Sequence, residues 1–156
     1  MIVVKDDVLP QSMISSIVDY YIKNPDRLLG NWYTEMFDWQ QELVNQAKSF
    51  FDLSEMIGFE SWGHIHSRPD WHVDRDELAF KNGLEERPIC SIVFYPLIKI
   101  ISGGEFVTGT ESIQPRTNRA IFFSSGTIHS VQPWRGDRIS VALNPWGFLP
   151  YTYRYK

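Results

Sequence analysis

Cysteine is nearly missing from this sequence: Cys90 stands alone among 156 residues, so no disulfide can form within the chain. A reducing, intracellular setting suits such a chain. Clusters of lysine and arginine are missing too, and the formal net charge is -4 with a pI near 5.5. Without a basic patch there is little to hold phosphates, so a nucleic-acid partner is not expected. No apolar run is long enough for a bilayer. The strongest, IVFYPLIKII at 92–101, is interrupted by Pro96 and Lys99. The first ten residues, MIVVKDDVLP, carry acids where a secretory leader needs a basic region. A soluble, cytoplasmic protein with no membrane partner is the expectation.

What is present is apolar and aromatic. Hydrophobic residues make up 43% of the chain and aromatics 15%, enough to bury a core, and the length suits a single domain over 1–156. The pattern changes near residue 58. Before it, Ile14, Ile17, Val18 and Tyr21, then Leu43, Ala47, Phe50 and Phe51, recur at helical spacing. This predicts helices over 11–23 and 37–56. After it, short β-branched and aromatic runs at 59–66, 89–97, 104–109, 119–124, 128–134 and 137–144 alternate with turn residues. The reading is a mainly β fold with N-terminal helices: a helical part at 1–57 packed on one face of a jelly-roll core at 58–156.

Only four histidines are available, and two arrangements of them invite a metal. His72 and Asp74 in Trp71-His72-Val73-Asp74 are two residues apart, so on an extended chain they point to one side. An imidazole and a carboxylate placed so can take neighbouring positions on one ion. His129, in FFSSGTIHSV, is the only histidine downstream and can complete a 2-His-1-carboxylate triad, which leaves positions open for a bidentate cosubstrate and O2 on non-haem Fe(II). A lone His-x-Asp is common by chance in solvated loops. His64 and His66 form a second same-face pair that could serve as ligands, line the pocket or sit on an exposed strand. Asp76 and Glu77 read as the acidic start of a loop.

The stretch after His129 adds a second element. Nine residues on, past an expected turn at Gly136-Asp137, Arg138 shares a strand face with Ser140, Ala142 and Asn144. If that face is inward, Arg138 and Ser140 project into the barrel beneath the metal. An arginine there needs an anion, and its planar fork suits the far carboxylate of 2-oxoglutarate. If the face is outward, Arg138 is an ordinary surface cation.

WHVD (71–74), IVFYPL (92–97), SGGEF (102–106), FFSSGTIHSVQP (122–133) and GDRIS (136–140) together resemble the 2-oxoglutarate/Fe(II) dioxygenase superfamily, in particular its compact prolyl-4-hydroxylase-like members. The resemblance implies a cupin-like double-stranded β-helix with Fe(II) on His72, Asp74 and His129, which would also be the catalytic residues. It implies Arg138 on the distal carboxylate of 2-oxoglutarate, with Ser140 assisting. Tyr95 matches a tyrosine that donates to the same carboxylate; alternatively it is a core aromatic. Relatives that dealkylate nucleic acids carry a second arginine six residues after the first, where this chain has Asn144. Halogenating relatives lose the carboxylate ligand, whereas Asp74 is retained.

The activity so implied is hydroxylation of a C–H bond, with 2-oxoglutarate decarboxylated to succinate and with O2 and Fe(II) required, ascorbate supporting. The partners are 2-oxoglutarate and a primary substrate that is a prolyl residue, another protein side chain or a small molecule. Trp62, Trp71 and Trp134 are available as a recognition surface or as core. The competing function is a non-catalytic cupin-like metal-binding module, which would have no use for Arg138 and Ser140.

Overall fold

The computed structural model describes residues 1–156, and the chain begins extended rather than helical. β1 (Ile2–Asp6) uses the β-branched run Ile2-Val3-Val4 to pair with a later strand. α1 (Gln11–Lys23) follows Pro10 and buries Ile14, Ile17 and Tyr21, one stripe of an amphipathic helix. Asn24 closes it by donating its side-chain amide to the Tyr20 carbonyl at 2.9 Å, and Pro25 prevents continuation.

β2 (Asn31–Tyr33) is followed by α2 (Asp38–Ala47), opened by the Gln40 side chain accepting from the Phe37 N–H at 2.9 Å. The helix expected over 37–56 therefore stops at Ala47. The amides of Phe50 and Phe51 both turn back to the Ala47 carbonyl, and Asp52 accepts from the Ser54 N–H at 3.0 Å. Such side-chain bonds compete with the helical ladder. Phe50, Phe51, Leu53 and Met56 still pack on the core, so the apolar spacing outlasts the helix.

The rest is largely strand: β3 (Gly58–His64), α3 (Glu77–Lys81), β4 (Cys90–Gly103), β5 (Phe106–Val107), β6 (Ser112–Ile113), β7 (Arg119–Ser124), β8 (Ser130–Val131), β9 (Trp134–Trp146) and a last turn of helix, α4 (Tyr151–Arg154). They form a six-stranded antiparallel sheet, order β1-β7-β4-β9-β3-β2, facing a small one, order β6-β5-β8. The segment 1–57, read as helical, thus supplies both edge strands of the large sheet as well as two helices.

Alternation gives the large sheet two different faces. Phe59, Cys90, Ile92, Phe94, Phe122, Val141 and Leu143 face α1 and α2 in the main core. Tyr95, Ile121 and Phe123 face the small sheet and meet Phe106. The residues expected to carry chemistry lie on this second face, between the sheets.

Two long strands depart from the expected turns. β4 runs past Pro96 to Gly103, because Pro96 falls in a register shift between Phe94 and Leu97 where no ladder N–H is needed. No hairpin forms at Gly136-Asp137. Both residues lie inside β9, opposite Ile100 and Lys99. Gly136 takes φ +111°, and a Cβ there would lie 2.6 Å from the Lys99 carbonyl oxygen, so the glycine serves a close strand approach. The chain instead changes sheets at Gln132-Pro133, between β8 in the small sheet and β9 in the large one. No helix is long and apolar enough to cross a membrane.

Candidate active site

His72 and His129 lie on adjacent extended segments whose backbones exchange two N–H···O bonds of 3.0 Å each. That isolated bridge sets the two imidazoles side by side, with ring centroids 4.2 Å apart. Each ring is oriented from behind. His72 Nδ1 lies 2.6 Å from the Asp70 carbonyl and His129 Nδ1 2.8 Å from the Thr127 carbonyl. A carbonyl only accepts, so both Nδ1 atoms carry a proton, and each Nε2, once it gives up its own proton, presents a lone pair. Asp74 Oδ1 sits 3.3 Å from His72 Nε2 and 3.7 Å from His129 Nε2, and the three donor atoms lie within 4.8 Å of one another. Three electron-pair donors converging on one point suit a cation of the type expected, a two-histidine, one-carboxylate site.

Asp74 is held by its other oxygen. Ser91 Oγ donates to Oδ2 at 2.7 Å and Asn144 Nδ2 at 3.1 Å, which leaves Oδ1 for the convergence point. Burial alone would raise the Asp74 pKa. The His72 hydrogen bond, the His129 charge and the bonds from Ser91 and Asn144 outweigh it and hold the carboxyl below its usual value. Hydrogen bonding to Asp74 raises His72 above the ordinary imidazole range, whereas burial lowers His129. The His129 ring stacks on Phe106 and meets the edge of Phe123, with centroids at 5.1 and 4.9 Å, so two aromatic rings shield it from solvent.

From the triad a narrow cavity runs inward to Tyr95, Arg138 and Ser140. Arg138 faces in, only 1% exposed, with its Nη1 donating to Ser140 Oγ at 3.1 Å. Its Nε and the Tyr95 hydroxyl are buried without hydrogen-bond partners. The guanidinium carbon lies 5.2 Å from the Tyr95 ring and 4.9 Å from the Trp134 ring, and burial lowers its pKa, partly opposed by Tyr95. A buried guanidinium facing a cavity, beside an idle phenol, calls for a bound anion. Gly104, at φ +79°, lets the turn before β5 close over this arginine; a Cβ there would be 3.3 Å from Arg138 Cδ and Nε.

The six expected residues thus gather on one cavity. His64 lines it as well, its Nδ1 3.0 Å from Ser67 Oγ, while His66 is exposed and stands apart from the triad. None of the three tryptophans weighed as core is buried: Trp62 and Trp134 are half-buried, and Trp71 is exposed. Asp76 is no loop acid. It is buried, caps α3 through the Ala79 N–H at 2.8 Å, and accepts from Thr152 N and Oγ1 at 2.8 Å.

Ser91 and Asn144 escaped the sequence reading as Asp74 partners. Alternation puts Ser91 on the face of Tyr95, and Asn144 on that of Arg138, but a serine and an asparagine announce no chemistry by type. Asn144 stands where dealkylating relatives carry a second arginine, and here it is the amide that grips the triad carboxylate.

A sequence model described as the 2OG-Fe(II) oxygenase superfamily matches residues 59–146, which contain all six residues. Among solved structures, a prolyl-4-hydroxylase from Pseudomonas putida is similar at 16% identity with a TM-score of 0.67, covering 93% of this chain and 91% of that one. A viral collagen prolyl hydroxylase from Paramecium bursaria Chlorella virus-1, in its 2OG complex, is similar at 14% identity and 0.62, with 93% and 95% covered. A prolyl hydroxylase from Trichoplax adhaerens, in complex with a hypoxia inducible factor peptide fragment, gives 10% and 0.59, with 94% and 83% covered. No curated protein matches. At these identities the structural likeness is one of fold: the facing sheets form a double-stranded β-helix.

Proposed function

This chain belongs to the 2OG-Fe(II) oxygenase superfamily, whose cofactors are Fe(II), 2-oxoglutarate and O2, and from that premise we propose how its own residues divide the work. His72, Asp74 and His129 hold the iron. Arg138, with Ser140 and Tyr95, holds the distal carboxylate of 2-oxoglutarate. The overall change is R–H + 2-oxoglutarate + O2 → R–OH + succinate + CO2. The observation that carries this reading is one cavity with two ends: three converging lone-pair donors at one, an uncompensated guanidinium at the other.

When bound, the iron supplies O2 activation and cleavage of the substrate C–H bond. The chain supplies position. The Arg138 fork and the Tyr95 hydroxyl donate to the distal carboxylate, so the keto-acid end of the cosubstrate extends toward the triad. Ser91 and Asn144 keep Asp74 turned so that one oxygen serves as ligand. Phe106 and Phe123 keep the His129 side dry. A non-catalytic metal-binding module would leave the buried Arg138 without purpose, which disfavours it. The similar hydroxylases named above, one of them bound to a peptide, favour a protein side chain as the primary substrate, prolyl among the candidates.

The test is a titration of purified protein with Fe(II) and 2-oxoglutarate in the absence of O2. The weak visible charge-transfer band of the chelate should appear with a saturable dependence on 2-oxoglutarate, and succinate should form on admitting O2. Iron-loaded protein that gives neither band nor succinate would leave only the metal-binding module.

A further inference from the structure

Two cavities share the wall formed by Trp62, His64, Pro69, His72 and Asp74. One runs to Arg138; the other, of about 290 Å3, is lined by Glu60, Trp62, Arg75, Glu77 and Asn144. The strand register places the Glu60–Asn144 end of the second away from the arginine: on β3 and β9, His64, which lines both, pairs with Ser140, while Glu60 pairs with Asn144 four residues further along.

This second wall is rich in acceptors. Glu60 Oε1 accepts from Trp146 Nε1 at 2.9 Å and Oε2 from the Tyr153 hydroxyl at 2.8 Å, so the carboxylate is fixed in place by two neutral donors. Asn144, 2% exposed, spends its Nδ2 on Asp74 and leaves its Oδ1 buried with no hydrogen-bond partner. The amide cannot be reversed, since that would set its carbonyl oxygen against a carboxylate oxygen. Arg75 is already engaged: its Nε donates to Glu77 at 3.0 Å and its guanidinium stacks on Phe80, 3.4 Å from the ring centroid. Glu77 is thereby balanced by a cation, and Glu60 is not.

We propose that this cavity receives a cationic nitrogen group, an ammonium or a guanidinium, carried by the primary substrate. The proposal rests on the oxygenase reading above and narrows its substrate class. An ammonium has three donors to divide between Glu60 and Asn144, and the half-buried Trp62 adds an aromatic surface on which a cation is favoured. A peptide-bound proline has no N–H and no charge, and would leave Asn144 Oδ1 without a donor and Glu60 without a counter-charge. A carboxylate would be repelled. The two cavities so sort the two substrates by charge, the anionic cosubstrate to Arg138 and the cationic group to Glu60, with the oxidised carbon between them at the triad.

The experiment uses protein loaded with Fe(II) and 2-oxoglutarate without O2, titrated calorimetrically with capped tripeptides centred on lysine, arginine, norleucine or proline, and with free lysine. A lysine or arginine tripeptide should bind roughly tenfold to a hundredfold tighter than norleucine, which matches lysine but ends in a methyl group. Glu60→Gln should collapse that ratio. Free lysine binding as well as the capped peptide identifies a free amino compound; weaker binding identifies a peptide side chain. Equal binding of lysine and norleucine, preference for proline, or no cationic probe bound at millimolar concentration overturns the proposal. So does an unchanged ratio in folded Glu60→Gln, and the wild-type series decides even if that variant fails to fold. Failure of 2-oxoglutarate to bind before any probe is added strikes the oxygenase reading first, and this inference with it.

Discussion

Asp74 divides its two oxygens between different tasks. Oδ2 is bound by Ser91 and Asn144, and Oδ1 is left beside the two imidazoles as the third donor. The variants Asp74→Ala and His129→Ala should lose tight Fe(II) binding while keeping the fold. Ser91→Ala should keep the iron with an affinity reduced roughly tenfold to a hundredfold, the usual cost of losing a group that orients a ligand. Fe(II) titration monitored by equilibrium dialysis separates the three; full-strength binding by Asp74→Ala would remove it from the ligand set. Arg138→Ala tests the other end of the cavity. Breaking a buried charged pair costs about 3–5 kcal/mol, so 2-oxoglutarate affinity should fall by two to nearly four orders of magnitude with Fe(II) affinity little changed. Arg138→Lys should recover part, keeping charge without the fork. Unchanged 2-oxoglutarate binding in Arg138→Ala would reassign the arginine. At this scale the sequence was legible wherever a residue type is costly to bury. Histidine, aspartate and arginine at strand spacing have few uses inside a barrel. Ser91 and Asn144 have many, and only the folded register gives them one.

Among the elements, helix and strand existence was easier to read than where each ends. α1 is bounded as expected because Asn24-Pro25 stops any helix, whereas nothing so categorical follows Ala47. β1 and β2 were overlooked because five- and three-residue edge strands leave little periodicity to detect. β9 is the instructive case. Gly136-Asp137 reads as a hairpin turn, yet the same glycine that permits a turn also permits two backbones to touch within a ladder. The inward face of Arg138, Ser140, Ala142 and Asn144 survived that error because alternation downstream of the glycine does not depend on how the strand began. Gly136→Ala should destabilise the protein by about 1–3 kcal/mol or more, since it combines a positive φ with a Cβ 2.6 Å from the Lys99 oxygen. Chemical denaturation measures this, and a loss below a few tenths of a kcal/mol would show that the β4–β9 ladder can open at no cost.

Across the whole molecule, the N-terminal strand is tied to its neighbour β7 by charge as well as by its ladder. Arg119 Nε lies 2.7 Å from Asp6 Oδ1, and hydrogen bonding to Arg119 holds the Asp6 carboxyl below its ordinary value. A depressed carboxylate contributes stability at pH above its unfolded value, and that stability is lost as pH falls through the lower folded value. The pair is partly exposed and screened, so it should be worth about 0–1 kcal/mol. Asp6→Asn should lower stability at neutral pH by that order and lessen the fall in stability on acidification below about pH 4. Equal acid sensitivity in the variant would assign the acid transition to other carboxylates.

The position of Cys90 on the helix-facing side of β4 has a practical consequence. Burial pushes its thiol up to about 12, and no solvent reaches it. Thiolate is the species that reacts with alkylating reagents, so the folded protein should resist them at neutral pH. The chain therefore carries its own chemical clock. With one sulfhydryl, iodoacetamide uptake at Cys90 counts openings of the central sheet directly, and its rate should rise with denaturant in step with the unfolded fraction. Rapid labelling under native conditions would instead mean that β4 opens locally, without the rest of the molecule.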